Sequence, residues 1–193
     1  MKKFELTAEF VTNVFGKKLF RIKALVAFGN VEKGELGGFI EKEDNLSHTG
    51  NAWVYGNAWV FGNAQVFGDA QVSGNAWVFG NAQVFGDAQV FGDAQVSGDA
   101  QVSGDAQVSG NAQVFGNADY AVVAGFGRYF RTTTFFRCKD KILRVQCGCF
   151  YGDLAQFREI VKKTHGDSKY AKEYLAIADL MELHFSDECG GEQ

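Results

Sequence analysis

The residues most suited to binding a metal are three cysteines and a histidine in the last third of the chain. Cys138, Cys147 and Cys149 precede His165, and thiolate and imidazole groups are ligands that zinc prefers in proteins. Their spacing is C-x-C rather than the paired C-x-x-C motifs of zinc ribbons. Alternation along a strand would also place Cys147 and Cys149 on one face, as in a buried core. The pattern favours structural thiols, with a zinc site as the alternative.

Residues for acid–base or nucleophilic catalysis are sparse. The three histidines are His48, His165 and His184, and group transfer needs a general base or a phosphate-binding loop. The sequence has no Gly-rich phosphate loop, no G-x-S-x-G and no H-E-x-x-H motif. We therefore predict no catalytic residue and no cofactor, and His48 is the one histidine close to the central segment.

The central segment is anionic. Residues 50–119 contain six aspartates and neither Lys nor Arg, whereas the segments on either side are nearly neutral. Direct binding of nucleic acid needs cations that displace phosphate counterions, so we predict none. Two roles are open for the aspartates, because Asp is a common turn residue and clustered carboxylates bind cations or basic partners. The five candidates, all within the repeats, are Asp69, Asp87, Asp93, Asp99 and Asp105.

These aspartates belong to an array of eleven six-residue repeats at residues 50–115, with forms such as GNAWVF and GDAQVS. An even period keeps Gly, Ala and Val on one side of an extended chain and the other three positions on the opposite side. A glycine at every sixth position excludes a helix. Hexapeptide repeats are typical of a triangular solenoid with three repeats per coil, in which residues 18 apart stack at about 4.8 Å.

A spacing of 18 sorts the outward residues into columns. Aromatic residues collect in the early coils, and Asp69, Asp87 and Asp105 share one column. So many outward aromatic side chains exceed the apolar patch that a soluble monomer usually exposes. Two arrangements are open: the terminal segments cover these side chains, or the side chains form a surface for a partner or for self-association. The aromatic residues are Trp53, Trp59, Trp77, Phe61, Phe79, Phe67 and Phe85.

The flanking segments have patterns of their own. Residues 1–49 alternate apolar and polar residues between turn signals, which predicts a β-hairpin cap over the open edge of the solenoid at residues 50–124. Residues 125–186 predict a small ββαα domain, in which Asp153 caps the first helix and Gly166 ends it. Residues 187–193 are expected to be a polar tail.

The compartment follows from two absences in the sequence. No stretch resembles a signal peptide or has the length and hydropathy of a membrane span. The four cysteines are then expected to be reduced thiols. The sequence therefore predicts a cytoplasmic protein that does not bind a membrane.

Two stretches resemble segments of bacterial and bacteriophage β-solenoid proteins. The first runs from Phe20 into the repeats and carries glycine-rich motifs at residues 29–34 and 37–39, Asn-Leu-Ser at 45–47, and the first repeat at 50–54. The second, FFRCKDKILRVQCGCFYGDLAQF followed by KYAKEYL, resembles a segment that ends many phage and prophage proteins of this type. The resemblance implies a mainly β protein built on a left-handed parallel β-helix. Members are usually described as transferases or polymer-forming proteins.

Three functions suit this architecture. The first is a non-enzymatic protein of a phage or mobile element that binds a host protein in the bacterial cytoplasm, for instance to inhibit a CRISPR-type or other nucleic-acid-handling defence complex. The second is structural, either a filament like those of bactofilins or a fixed dimer or trimer. The third is a hexapeptide-repeat acyltransferase, which needs a histidine near the coils, whereas the repeats have none. The sequence favours the first.

Overall fold

The computed structural model describes residues 2–186. The expected polar tail at residues 187–193 lies outside them, as does Cys189. The described chain is mainly β, with eighteen strands and two helices in three consecutive parts. Neither of these two helices is long and apolar enough to cross a membrane.

The first part is a small antiparallel sheet that continues directly into the solenoid. Strand β1 (Phe4–Thr12) pairs with β2 (Lys18–Ala24), and β2 pairs with β3 (Leu36–Ile40). The free edge of β3 pairs in parallel with the second strand of the solenoid, Trp59–Val60. The predicted N-terminal β cap is therefore present, and it shares one seven-stranded sheet with a face of the solenoid.

The solenoid consists of eleven strands of two residues, one for each repeat. Strands that are 18 residues apart pair in parallel, as Trp59 does with Trp77. The strands form three faces, which confirms the predicted coil of three hexapeptides. The left-handed sense of the coil stays a prediction. The strands are β4 (Trp53–Val54), β5 (Trp59–Val60), β6 (Gln65–Val66), β7 (Gln71–Val72), β8 (Trp77–Val78), β9 (Gln83–Val84), β10 (Gln89–Val90), β11 (Gln95–Val96), β12 (Gln101–Val102), β13 (Gln107–Val108) and β14 (Gln113–Val114).

The interior of the solenoid is made of alanine and valine. The Ala and Val of every repeat are fully buried, as the parity of the six-residue period predicts. At the corners the glycines hold a left-handed backbone, for example Gly74 at φ +69°. A Cβ at Gly74 would also lie 2.9 Å from backbone atoms of Gly92. Glycine is therefore required at such a corner by both backbone conformation and space.

The backbone hydrogen bonds between coils all point one way in the described repeats. The amide of Trp53 donates to the carbonyl of Ala70, and the amide of Phe61 donates to that of Val78. Each coil thus donates to the next coil toward the C-terminus. As a result, the N-terminal edge of the solenoid presents carbonyl groups and the C-terminal edge presents amide groups, and each set needs partners of the opposite kind.

The third part is a four-stranded antiparallel sheet with two helices. Its strands are β15 (Tyr120–Val123), β16 (Thr133–Arg137), β17 (Leu143–Cys147) and β18 (Phe150–Asp153), and its helices are α1 (Leu154–His165) and α2 (Lys169–Phe185). The predicted pair is β16 and β17, and the prediction of only two strands is wrong, because two short segments beside glycine-containing turns extend the sheet. Asp153 accepts a hydrogen bond from the Gln156 amide at 2.8 Å, and Gly166 ends α1. Both predicted helix boundaries are confirmed.

Candidate functional site

Two of the five predicted aspartates accept a hydrogen bond from an asparagine side chain in the neighbouring coil. The side-chain amides of Asn75 and Asn81 donate to Asp93 and Asp99 respectively, each at 3.0 Å. An asparagine amide is a donor that a carboxylate can accept from, so these two charges are partly compensated inside the corner. Their geometry agrees with a role as turn residues.

The other three, Asp69, Asp87 and Asp105, form what we call the acidic column. All three are exposed and stack at intervals of 18 residues, about 4.8 Å apart for each coil. The Asn51 amide donates to Asp69 at 3.0 Å, and the Thr132 hydroxyl lies 3.5 Å from Asp105. Within residues 2–186 none of the three makes an ion pair. Stacked like charges are unfavourable, so the column is the least compensated feature of the rod.

No set of three His, Cys, Asp or Glu side chains in the described part of the chain lies close enough to hold a metal ion. The cation ladder considered for the aspartates therefore lacks the required geometry. The zinc alternative fails in the same way. Cys138 belongs to the core at the end of the solenoid, whereas Cys147 and His165 contact the core beneath the helices, and Cys149 is exposed.

The thiol of Cys138 is a poor ligand for a further reason. Its side chain is buried, and burial raises its pKa to about 11. Because the thiolate is the form that binds metals and attacks electrophiles, Cys138 is unreactive at neutral pH. This placement agrees with the structural-thiol interpretation.

His48 is the one histidine beside the solenoid, and both of its ring nitrogens are engaged. Nδ1 accepts a hydrogen bond from the Lys3 backbone amide at 3.2 Å, and Nε2 lies 3.6 Å from Glu43. The ring stacks on Phe4 with centroids 4.3 Å apart. His48 lines a cavity of about 550 Å³, but a general base needs a free lone pair. In this arrangement His48 offers none, and the acyltransferase alternative stays a prediction.

Two of the seven aromatic residues predicted to face outward are buried, so that prediction is wrong for them. Trp53 is 0 % exposed and packs edge-on against Phe28, with ring centroids 5.4 Å apart. Phe61 is 4 % exposed and packs with Leu19 and Phe39. The N-terminal segment folds over both residues, which is the arrangement in which a terminal segment covers the outward aromatic side chains. Neither residue is accessible to a partner.

The other five aromatic residues are half-buried, and we call them the aromatic columns. Trp59 stacks on Trp77 with centroids 4.9 Å apart and planes 5° from parallel. Phe67 stacks on Phe85 at 4.9 Å and 2°. Such parallel stacks follow from the register of 18 residues. The columns consist of Trp59, Trp77, Phe79, Phe67 and Phe85.

Hydrogen-bond donors close most of the N-terminal edge of the solenoid, where the Glu41 carboxylate also accepts from the Gly62 amide at 2.7 Å. The ammonium group of Lys3 donates to the carbonyls of Gly50 and Ala52 at 3.3 and 2.8 Å. The side-chain amide of Asn45 donates to the carbonyls of residues 62 and 64 at 3.1 and 2.8 Å. Lys3 is 3 % exposed, and burial lowers its pKa to about 8. Sequence analysis missed Lys3, since nothing in the sequence separates it from Lys2.

Hydrogen-bond acceptors close most of the C-terminal edge, where the Tyr120 hydroxyl also donates to the Gln101 carbonyl. The Gln101 amide donates to Asn117 Oδ1 and the Gln107 amide donates to Thr134 Oγ1, both at 2.9 Å. The Phe115 amide donates to a carboxylate oxygen of residue 119, also at 2.9 Å. Since both edges are occupied by the chain itself, the sides of the solenoid are the surfaces left for a partner.

Comparison with known proteins supports the architecture. A family model described as YdcK Beta solenoid repeat matches residues 70–86 and 94–110. Both matches lie inside the repeat array, and each is one residue short of a complete coil. No curated protein matches the sequence. The chain is a β-solenoid repeat protein.

Proposed function

We propose that the chain is a non-catalytic binding protein that presents the acidic column to a basic surface of a partner protein. The observation that carries this proposal is the contrast among the five aspartates. Asp93 and Asp99 accept hydrogen bonds from neighbouring asparagine side chains, whereas Asp69, Asp87 and Asp105 stack without an ion pair among residues 2–186, Lys3 acting on Asp69 only at a distance. A basic partner would relieve the repulsion within the column and would be attracted from a distance.

The shape of the solenoid suits such a role. Its coils are tied by regular hydrogen bonds and its core is continuous, so the three carboxylates are held about 10 Å apart from first to last. A surface fixed before binding loses little conformational entropy on association. Because residues 50–119 contain no Lys or Arg, no repeat residue competes with the partner for these carboxylates.

We further propose that the chain belongs to a phage or mobile element and acts in the cytoplasm of a bacterial host. The partner would be a host complex that handles nucleic acid, such as a CRISPR-type defence complex, because its groove is lined by the cations that bind phosphate. Carboxylates held in a row compete for those cations. This form is supported by the acidic column and by the resemblance to bacteriophage solenoid proteins.

The test compares two sets of aspartate variants. The triple variant Asp69→Asn, Asp87→Asn, Asp105→Asn removes the acidic column, and the matched control Asp93→Asn, Asp99→Asn removes carboxylates that already accept from asparagines. A partner is captured from a host lysate, purified, and titrated against each protein at several salt concentrations. We expect the triple variant to bind at least about tenfold more weakly with a shallower salt dependence. Wild-type affinity and salt dependence in the triple variant would contradict the proposal.

A second candidate is a fixed dimer or trimer formed through the aromatic columns. The stacked and half-exposed Phe67 and Phe85 favour it, whereas the occupied edges disfavour end-to-end filaments. The repeat has Ser73 and Ser103 at the equivalent position, so Phe67→Ser with Phe85→Ser is a change that the coil accommodates. Light scattering should give a dimer or trimer for the wild type and a monomer for this variant. A monomeric wild type would refute the oligomer.

A further inference from the structure

The C-terminal domain contains a cavity that the proposed function does not use. It has a volume of about 200 Å³ and lies between α1 and the turn that joins β17 to β18. Its floor is apolar and includes Phe157, Val161 and the ring of Tyr174, all of them buried. A water molecule takes up about 30 Å³ in the liquid, so the space suits an organic molecule about the size of benzoate.

The mouth of this cavity is cationic. Arg128 and Arg131 both line it, and their guanidinium groups lie 5.6 and 5.2 Å from the centre of the Tyr129 ring. Apart from these ring contacts, neither arginine makes a hydrogen bond or ion pair within residues 2–186. His165 lines the same cavity. Two free guanidinium groups converging on one opening indicate a place for an anion.

No carboxylate among the lining residues competes for these cations. The nearby acid is Glu173, and its carboxylate is already occupied. It accepts a hydrogen bond from the Gly127 amide at 3.0 Å and pairs with Lys169 at 3.4 Å. The positive charge at the mouth is therefore left for a ligand to neutralise.

The guanidinium group of Arg131 lies beside a glycine. Gly148, in the turn between β17 and β18, has φ +58°, and a Cβ there would lie 2.5 Å from a guanidinium nitrogen of Arg131. Glycine suits this backbone conformation and leaves the guanidinium group its place beside the turn. Arg131 thus lies against the turn at the mouth of the cavity.

We propose that this cavity binds a small organic anion with a flat apolar body, which inserts between Phe157, Val161 and Tyr174 and places its carboxylate or phosphate between Arg128 and Arg131. The hydroxyl of Tyr174 remains protonated at neutral pH, because burial raises its pKa to about 12. The hydroxyl lies beside Cys147 and donates to the Phe126 carbonyl at 3.4 Å, a long hydrogen bond that a ligand oxygen can replace. The site is separate from the acidic column and stands whether or not that column binds a partner.

Calorimetric titration of the whole chain tests this site with three probes: benzoate, phenyl phosphate and the neutral benzyl alcohol. We expect benzoate or phenyl phosphate to bind with a millimolar or lower Kd, and the two anions show whether carboxylate or phosphate is preferred. Arg128→Gln and Arg131→Gln should each weaken binding about tenfold, since one charge-assisted hydrogen bond is lost. Lys163→Gln is the matched control, because it removes an exposed charge of α1 that does not line the cavity. It should leave the affinity unchanged.

Three results would overturn the inference. The first is that neither anion binds at about 10 mM, a concentration that fills most of a millimolar site. The second is that the double arginine variant binds as tightly as the wild type. The third is that benzyl alcohol binds as well as benzoate, which would mean that the cavity binds apolar rings without any contribution from the arginines. Both arginines are exposed, so the variants should fold, and unchanged melting temperatures will verify this.

Discussion

At the N-terminal edge of the solenoid most of the backbone groups that need a cap are carbonyls, and at the C-terminal edge most are amides. The chain closes the first edge with donors, from Lys3 and Asn45. It closes the second with acceptors, from Asn117 and Thr134. The repeats at the two ends are nearly the same in sequence, so the difference in cap chemistry follows from the direction of the inter-coil hydrogen bonds. With both ends closed, function has to be sought on the sides.

The largest loss of stability is expected when a donor at the carbonyl edge is replaced by an acceptor. In Asn45→Asp the oxygen that accepts from the Lys42 amide is kept, but the group that faces two carbonyls loses its hydrogens. Asn45 is fully buried, so an uncompensated charge there should lower the free energy of unfolding by about 3 to 5 kcal/mol. Urea unfolding followed by tryptophan fluorescence measures this, since all three tryptophans lie in early coils. A loss below about 1 kcal/mol would argue against the donor role.

The second prediction concerns pH and Lys3. Below pH 8 the folded and unfolded chains both carry the proton, and the folded state bears the full penalty of a buried cation. Between pH 8 and 10.5 the folded state releases a proton that the unfolded chain retains, so stability rises with pH. The neutral amine still donates to both carbonyls. Relative to Lys3→Met, the wild type should gain up to about 3 kcal/mol over this range. Parallel pH profiles for the two proteins would contradict the shifted pKa.

The acceptor edge is tested by Thr134→Val. This change keeps the shape of a buried side chain but removes the oxygen that accepts from the Gln107 amide. We expect a loss of about 1 to 2 kcal/mol in unfolding free energy, as for other buried groups left without a partner. Hydrogen exchange at the Gln107 amide should also become faster. Thr134→Ser keeps the hydroxyl and should leave that amide protected. If the Gln107 amide exchanges as slowly in the valine variant as in the wild type, Thr134 is not the acceptor that protects this amide.

The smallest effect is expected from Asn117→Asp. Here the side chain is exposed and acts as an acceptor for the Gln101 amide, a role that a carboxylate also fills. The unfolding free energy should change by no more than about 0.5 kcal/mol. A large loss would mean that the amide hydrogens of Asn117 matter, which the comparison of the two edges does not allow.

Much of the fold can be predicted from the sequence because its signals are local. The period of six places alanine and valine inside, and the spacing of 18 gives the register of the strands. The same arithmetic would have named Asn75 as the neighbour of Asp93, because they differ by 18 positions. Capping by Asp153 and termination at Gly166 are likewise set by residues next to the helix.

Burial of the aromatic residues could not be predicted in the same way. The hexapeptide GNAWVF occurs at residues 56–61 and again at 74–79. Phe61 is nevertheless buried, whereas Phe79 is half exposed. The difference comes from Leu19 and Phe39, which lie outside the repeats and pack on the first copy. Identical local sequences therefore have different surroundings, and only the path of the N-terminal segment decides which aromatic residues are left for a partner.

The chemistry of the two edges is tested most directly by comparing the unfolding free energies of Asn45→Asp and Asn117→Asp in urea. The two changes are chemically identical and lie at opposite edges of the same solenoid. If strand direction dictates the chemistry of the caps, the variant at the carbonyl edge should be less stable than the variant at the amide edge by at least about 2.5 kcal/mol. Equal losses, or a greater loss for Asn117→Asp, would contradict it.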